Sequence, residues 1–290
     1  MYTNNDLFSF EVIIVDNASK EETIFWLHDI EDNPEYDNLK IIYNTDNMGF
    51  PYACNQGIDI SSTDNDIFLL NNDAYLFHNS LFWLKMGLYS ASNIGAVGPV
   101  TNCAVNNQMV LPITSSFDFC YEYALKCNIP HLHPYEDKIF LVGFALLIKR
   151  KALNEIGLLD TFFSPGQFED DDYGIRLKSA GYRVILCHNS FVYHIGNGGN
   201  PEGRWNDASF LNRQKFKSKW GFDLLYYNYS RYEVIKKISD TADKSIKVLE
   251  VGYALGATLQ RIQYLWPNSE IFGIEYNDKI VKIANNILTT

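Results

Sequence analysis

Four acids stand in a row at Glu169, Asp170, Asp171 and Asp172, within the stretch SPGQFEDDDYGIRLKSAGYRVI. Adjacent carboxylates repel one another, so the run asks for a structural or a chemical reason. A first helical turn is one reason, since the helix dipole favours each carboxylate there by roughly 0.3–1 kcal/mol, and Gly181 supplies the stop. Tyr173, Leu177 and Ala180 recur at i, i+4 and i+7 and define the buried face of that helix. At about 100° per residue, Glu169 and Asp170 straddle the inward face and Asp171 points away from it. Asp172 lies on the outward flank, four residues before Arg176, as an ion pair along the helix. An inward acid at the open end of a helix is a place for a catalytic carboxylate. The motif alone does not separate cap from catalyst.

The elements that must hold such a helix are legible along the chain. FEVIIVD (10–16) is an apolar, β-branched run ending in an acid and reads as a buried strand. A helix follows it, with Ser19 and Glu22 in the spacing of a capping box. LKIIYN (39–44) is a second strand, followed by a helix with Pro51 in its first turn. DIFLL (66–70), the turn NND and a helix near 80–91 make a third cycle, and GAVGPV (95–100) is a fourth strand. Such alternation predicts an α/β fold with a mostly parallel sheet and helices on both faces. Ligands bind beyond the carboxyl ends of strands in such sheets. Those ends read Asp16-Asn17, Asn44 to Asn47, and Asn71-Asn72-Asp73, all rich in acids and amides. Residues 101–138 read as connecting structure, IFLVGFALLIKR as a strand, KALNEIGLLD as a short helix ending at Gly157, and YRVILC with SFVYHIGNGGN as the closing strands.

Composition narrows the class. The 290 residues carry a formal net charge of −11, with 47% hydrophobic and 20% charged residues. That describes a globular protein and argues against nucleic acid as a partner. Five cysteines without a CxxC spacing fit reduced thiols in a cytoplasmic protein. The N-terminus has no basic-then-apolar leader pattern, and the run IFLVGFALLI is short of the ~20 residues that span a bilayer.

The composition changes near residue 239, where DTADKS makes a polar linker (239–245). Beyond it IKVLEVGYALGATLQRI and SEIFGIEYND read as strand, glycine-containing turn, helix and second strand. Gly252 and Gly256, with Ala254 between them, stand at glycine positions of a dinucleotide-type turn. Glu275 stands where an acid on a ribose hydroxyl is expected, about 20 residues on. An incidental Gly-rich turn is the alternative.

Taken together, VDNAS, LLNNDAYL and FEDDDYGIRLKSAGYRV…VYHIG, after the strand VGFALLIKR, resemble the family-2 inverting glycosyltransferases of GT-A fold, in particular their rhamnosyl- and galactofuranosyl-type members. The resemblance covers roughly residues 7–200 and rests on the ordered set of motifs. It implies a GT-A nucleotide-sugar-binding domain over residues 1–238, a nucleotide-diphosphate sugar donor and a glycan or glycolipid acceptor. That acceptor would bring a cytoplasmic protein to the inner face of a membrane as a peripheral partner. It implies that Asp73, in NND, binds Mn2+ or Mg2+ with His194, in VYH, and that Asn71 contacts ribose or a metal-bound water. NND departs from the family's Asp-x-Asp at Asn71, which removes one charge. Asp16 matches the acid at the nucleobase edge, with Asn17 beside it, and Asn47 and Asn55 match amides of the nucleotide pocket. Asp170, in FED, matches the general base, with Glu169 expected to raise its pKa by like-charge repulsion. Residues 246–290 resemble the start of a class I S-adenosylmethionine-dependent methyltransferase, a partial Rossmann-like fragment that would use S-adenosylmethionine if complete. The family normally opens with a strand and helix ahead of FEVIIVD, so the chain is expected to lack that strand and to leave an unpaired edge on the strand at 10–16. The competing readings are an inactive carbohydrate- or cation-binding module and a methyltransferase fragment.

Overall fold

The computed structural model describes residues 9–104, 106–196 and 204–288. The expectations for Met1–Leu7 and for the end of SFVYHIGNGGN, at 197–200, lie outside the described residues. The chain opens with β1 (Val12–Asn17), α1 (Glu21–Glu31), β2 (Leu39–Asn44), α2 (Phe50–Ile60), β3 (Ile67–Leu70), β4 (Ala74–Leu76), α3 (Ser80–Leu88) and β5 (Ile94–Val100). It continues with α4 (Phe117–Cys127), β6 (Tyr135–Lys138), β7 (Ala145–Ile148), α5 (Arg150–Ile156), α6 (Glu169–Ser179) and β8 (Arg183–His194). After β8 come α7 (Arg204–Trp220), α8 (Leu224–Tyr227), α9 (Tyr232–Ile235), β9 (Lys247–Val251), α10 (Ala257–Leu265), β10 (Glu270–Ile274) and α11 (Asp278–Leu288).

The expected mostly parallel sheet is corrected. The central sheet has six strands in the order β3-β7-β5-β8-β4, with β6 also on β8. Only its β5–β8 ladder is parallel; β3–β7, β5–β7, β4–β8 and β6–β8 are antiparallel. The reading failed because the run at 139–150 is not one strand. Residues 139–144 are irregular and end in a turn at Gly143-Phe144, and only Ala145–Ile148 joins the sheet, antiparallel to both β3 and β5. β1 and β2 form a separate parallel pair, in register from Val12↔Leu39 to Asn17↔Asn44. Among the described residues β2 is the one ladder partner of β1.

β8 organises both layers through its period of two. Val184 and Leu186 enter the cluster that holds Ile148, Leu153, Tyr173 and Leu177, on the side of α5 and α6. Ile185 and Cys187 enter the opposite cluster with Leu84 and Leu88 of α3. Pro51 does sit in the first turn of α2. The capping box at Ser19 and Glu22 does not form, since Lys20 occupies the N-cap with no side-chain cap bond. The Ser19 N–H is instead taken by the Asp16 carboxylate at 3.2 Å. The segment 101–138, expected to be connecting structure, contains α4 and β6.

β9, α10 and β10 form a strand-helix-strand unit, the two strands parallel and paired from Lys247↔Glu270 to Val251↔Ile274. It packs on the rest of the chain. Ile280 and Ile287 of α11 share one buried cluster with Phe168, Ile175 of α6 and Phe216 of α7. Arg261 of α10 pairs with Glu136 of β6.

Candidate active site

Helix α6 begins at Glu169, so all four acids lie in its first turn. Two expectations about its faces are corrected. Asp172 is not on an outward flank but fully buried, because α7 covers that side. It accepts from the Arg176 guanidinium at 2.8 Å, as the i, i+4 spacing predicts, and also from Lys219 at 2.6 Å and the Trp220 indole at 2.9 Å. Ala180, expected inside, is exposed at the helix end, whereas Tyr173 and Leu177 are buried. The loop entering the helix bends through positive φ at Gln167 and Phe168. The Asn212 amide of α7 holds that bend, donating to the carbonyls of Gly166 at 2.8 Å and Gln167 at 3.2 Å.

Asp170 is half-buried, and its two oxygens face different donors. Oδ2 accepts the Gly143 N–H at 2.8 Å and Oδ1 the Asp171 N–H at 2.9 Å. Burial raises its pKa, with these N–H bonds working against the rise. The cause therefore differs from the expected like-charge repulsion. That repulsion falls on Glu169, which burial and the Asp170 charge together push well above the carboxylate range. Glu169 Oε2 is buried without a hydrogen-bond partner among the described residues, so a neutral carboxyl is the state that such an atom tolerates best.

Asp73 and His194 meet on the neighbouring edge. Asp73 Oδ1 lies 3.2 Å from His194 Nε2, with side chains 18% and 12% exposed. The imidazole is fixed on three sides. Its Nδ1 donates to the Cys103 carbonyl at 2.8 Å, its ring stacks on Phe144 at 4.6 Å, and its backbone is bonded twice by the Asn102 amide. With Nδ1 committed as donor, a neutral ring presents a lone pair from Nε2 towards the Asp73 lone pairs. Two acceptors at that distance need a cation or a proton between them. Burial would lower the His194 pKa, but Asp73 and the Cys103 carbonyl raise it, and the His194 bond lowers that of Asp73. The pair thus fits a divalent cation that accepts oxygen and nitrogen ligands. Among the described residues no group of three or more His, Cys, Asp or Glu converges, and a phosphate-bound cation needs only one or two carboxylates from the protein.

Sequence reasoning missed the dipeptide that ties these groups together. Gly143 N–H holds Asp170, the Phe144 carbonyl accepts the Asn71 N–H at 2.8 Å, and the Phe144 ring carries His194. A Gly-Phe inside an apolar run carries no polar signal, so only the fold reveals it.

The strand-end amides form a second group. Asn17 donates to Asn47 Oδ1 at 3.0 Å and accepts from Asn44 and the Met48 N–H, both at 3.1 Å. Asn47 also takes the Gly49 N–H at 3.0 Å. These bonds shape the loop between β2 and α2, next to the buried Asp16. The loop reaches the entrance of α6, since Phe50 N–H donates to the Pro165 carbonyl at 2.7 Å. A Cβ on Gly49 would lie 2.7 Å from Pro165 Cα. Asn55 is buried one turn further on and bonds both the N–H and the carbonyl of Leu159, at 3.0 and 2.8 Å. Gly252, Gly256 and Glu275 are not brought to this region; they cluster at the turn after β9. There Glu275 is occupied by backbone, accepting the Ala254 and Asn277 N–H groups at 3.0 Å each.

Comparison with known proteins bears on the family and the fold. The family model described as glycosyl transferase family 2 matches residues 3–157. That stretch takes in Asp16, Asn17, Asn47, Asn55, Asn71 and Asp73 and ends before Asp170 and His194. The crystal structure of GalNAc-T7 with UDP, GalNAc and Mn2+ is similar at a TM-score of 0.55 and 15% identity, over 72% of this chain and 42% of that one. The mannosyltransferase PcManGT from Pyrobaculum calidifontis, in complex with GDP-Man and Mn2+, is similar at a TM-score of 0.52 and 14% identity, over 89% of this chain and 63% of that one. The chain thus spans less than two thirds of the length of either, and at these identities the likeness is one of fold. No curated protein matches.

Proposed function

The chain belongs to glycosyl transferase family 2, with a GT-A-like α/β fold on a mixed sheet, and we propose that it transfers a sugar from a nucleotide-diphosphate donor to a hydroxyl of a glycan or glycolipid acceptor, inverting the anomeric carbon. The observation that carries this reading is the Gly143-Phe144 link, which holds a basic carboxylate, the Asn71 turn and the Asp73–His194 pair in one constellation.

In this reading Asp170 takes the acceptor proton. Its pKa, raised by burial, makes it a stronger base than an exposed carboxylate, and the Gly143 and Asp171 N–H groups hold its orientation. Glu169 beside it, its pKa pushed up by burial and by the Asp170 charge, is the weaker acid of the pair. Attack by the activated hydroxyl from the face opposite the leaving group gives inversion in one displacement. Asp73 and His194 would hold Mn2+ or Mg2+, and such an ion, when bound, offsets the charge that builds on the leaving diphosphate. Asn71, in the turn bonded to Phe144, would contact the ribose. Asp16, with the loop that Asn17 and Asn47 shape, would contact the nucleobase, and Asn55 would act on the pocket indirectly by holding the segment at Leu159.

A methyl-transfer reading of the tail has less support, because Glu275 already accepts two backbone N–H groups. The decisive experiment incubates the chain with a panel of nucleotide-diphosphate sugars and measures released nucleotide diphosphate, with Mn2+ and with excess chelator. Release that requires the cation is expected. Tight donor binding without release, in the presence of acceptors, would favour the non-catalytic binding module.

A further inference from the structure

Lys178, in the last turn of α6, is 1% exposed. Its ammonium has no hydrogen-bond or ion-pair partner among the described residues, and buried charges are ordinarily paired. The contrast lies within the same chain. Lys138, also buried, pairs with Glu136 at 2.9 Å, and Lys149 donates to the carbonyls of Ala91 and Ser92 at 3.3 and 3.4 Å.

Lys178 lines a cavity of about 620 Å³ between β6 and the strand-helix-strand unit of the tail. That is the size range of small-molecule sites. The nearest acid in the wall, Asp137, is already neutralised, because Arg183 bonds both of its oxygens at 2.9 and 2.6 Å. The wall therefore carries one uncompensated ammonium, with the imidazole of His133 as its other basic group. Around it stand apolar surfaces from Tyr135, Leu259, Ile271 and Leu288. The Gln260 side chain adds an amide without a partner among the described residues. Burial pulls the Lys178 pKa down to about 8, with Asp137 opposing the fall and Arg183 adding to it.

We propose that this cavity binds a small carboxylate carried on an apolar body, with Lys178 as its counter-ion. A single free cation matches a monoanion, whereas a doubly charged phosphate would need a second one. The site is separate from the glycosyl-transfer constellation and does not depend on that reading.

The test uses the full chain with hexanoate and benzoate as probes, hexanol as the neutral control and inorganic phosphate as the competing anion. Hexanoate or benzoate should raise the melting temperature and bind by calorimetry, hexanol should not, and phosphate should bind more weakly than either. Lys178→Met should raise the Kd of the carboxylate at least tenfold, the scale of a lost charge-assisted hydrogen bond. Should Lys178→Met fail to fold, Lys178→Gln serves in its place with the same loss expected, and the wild-type comparison of hexanoate with hexanol still decides the matter. Absence of carboxylate binding, hexanol binding as tightly as hexanoate, unchanged affinity in the uncharged Lys178 variant, or tighter binding of phosphate would each overturn the proposal.

Discussion

Replacing Asp170 by Asn separates the general-base reading from a structural one, because the two make opposite demands on stability and rate. In the folded chain Asp170 accepts two N–H donors, from Gly143 and Asp171. Asn keeps one acceptor oxygen and turns its NH2 towards the other donor, which loses one charge-assisted bond worth about 1.5–3 kcal/mol. The same change removes a buried charge beside Glu169 and Asp171, whose pKa values that charge raises. The two effects offset, so net stability should move by no more than about 1–2 kcal/mol. Donor affinity should stay within a few-fold. The transfer rate should fall by about 10² or more, the scale of a lost general base and about 3 kcal/mol of barrier. The assay is transfer at saturating donor, with donor Kd by calorimetry and unfolding by urea on the same preparation. Glu169→Gln is the control. With its carboxyl held neutral, Gln is nearly the same group, and rate should change by no more than about threefold, well inside 1 kcal/mol. An Asp170→Asn enzyme that keeps more than a tenth of the rate, or a Glu169→Gln enzyme that is the more damaged of the two, would refute the assignment.

Asp73→Ala should abolish cation-dependent transfer, while His194→Ala should weaken Mn2+ binding by roughly tenfold, about 1.4 kcal/mol, and keep activity at saturating Mn2+; titrating activity against Mn2+ checks both. Asp172→Ala should destabilise the fold by about 3 kcal/mol, since it leaves Arg176 and Lys219 facing a buried gap, and urea unfolding measures it. Glu136 predicts an acid-labile seam: burial would raise its pKa, but His188, Lys138 and Arg261 bring it down to about 2 from 4.5. A folded pKa below the unfolded one gives stability that is present above pH 4.5 and is lost as pH falls towards 2, at most about 3 kcal/mol. Lys138, whose own pKa is lowered by burial, trims that gain. The urea-unfolding free energy of Glu136→Gln should accordingly vary less between pH 5 and 3 than that of the wild type.

Local patterns made much of this molecule readable. Strand β2 falls on LKIIYN, Pro51 opens α2 and Gly181 follows the end of α6, because each rests on short-range sterics and periodicity. The sheet's direction was not readable. Ala145–Ile148 is apolar in any orientation, and the irregular segment and turn at 139–144 that precede it have no local signature. Asp172 misled for a related reason. Its helical angle was right relative to α5 and β8, but α7 covers the other side, and helix faces computed from one buried stripe cannot foresee a second layer.

That second layer bears on how Asp170, the proposed base, is held. The match to the family model ends at residue 157, so Asp170 and His194 lie beyond it, and Asp170 is held both by Gly143 within the match and by chain outside it. Three independent contacts fix the start of α6 from there. Asn212 grips the bend before it, Lys219 and Trp220 grip Asp172, and Ile280 and Ile287 pack in one cluster with Phe168 and Ile175. A carboxylate that must stay buried yet basic needs such support, because a helix start free to tilt would let water in and return its pKa to the ordinary range. If Asp170 is the base, the tail would contribute to transfer through the rigidity it gives α6.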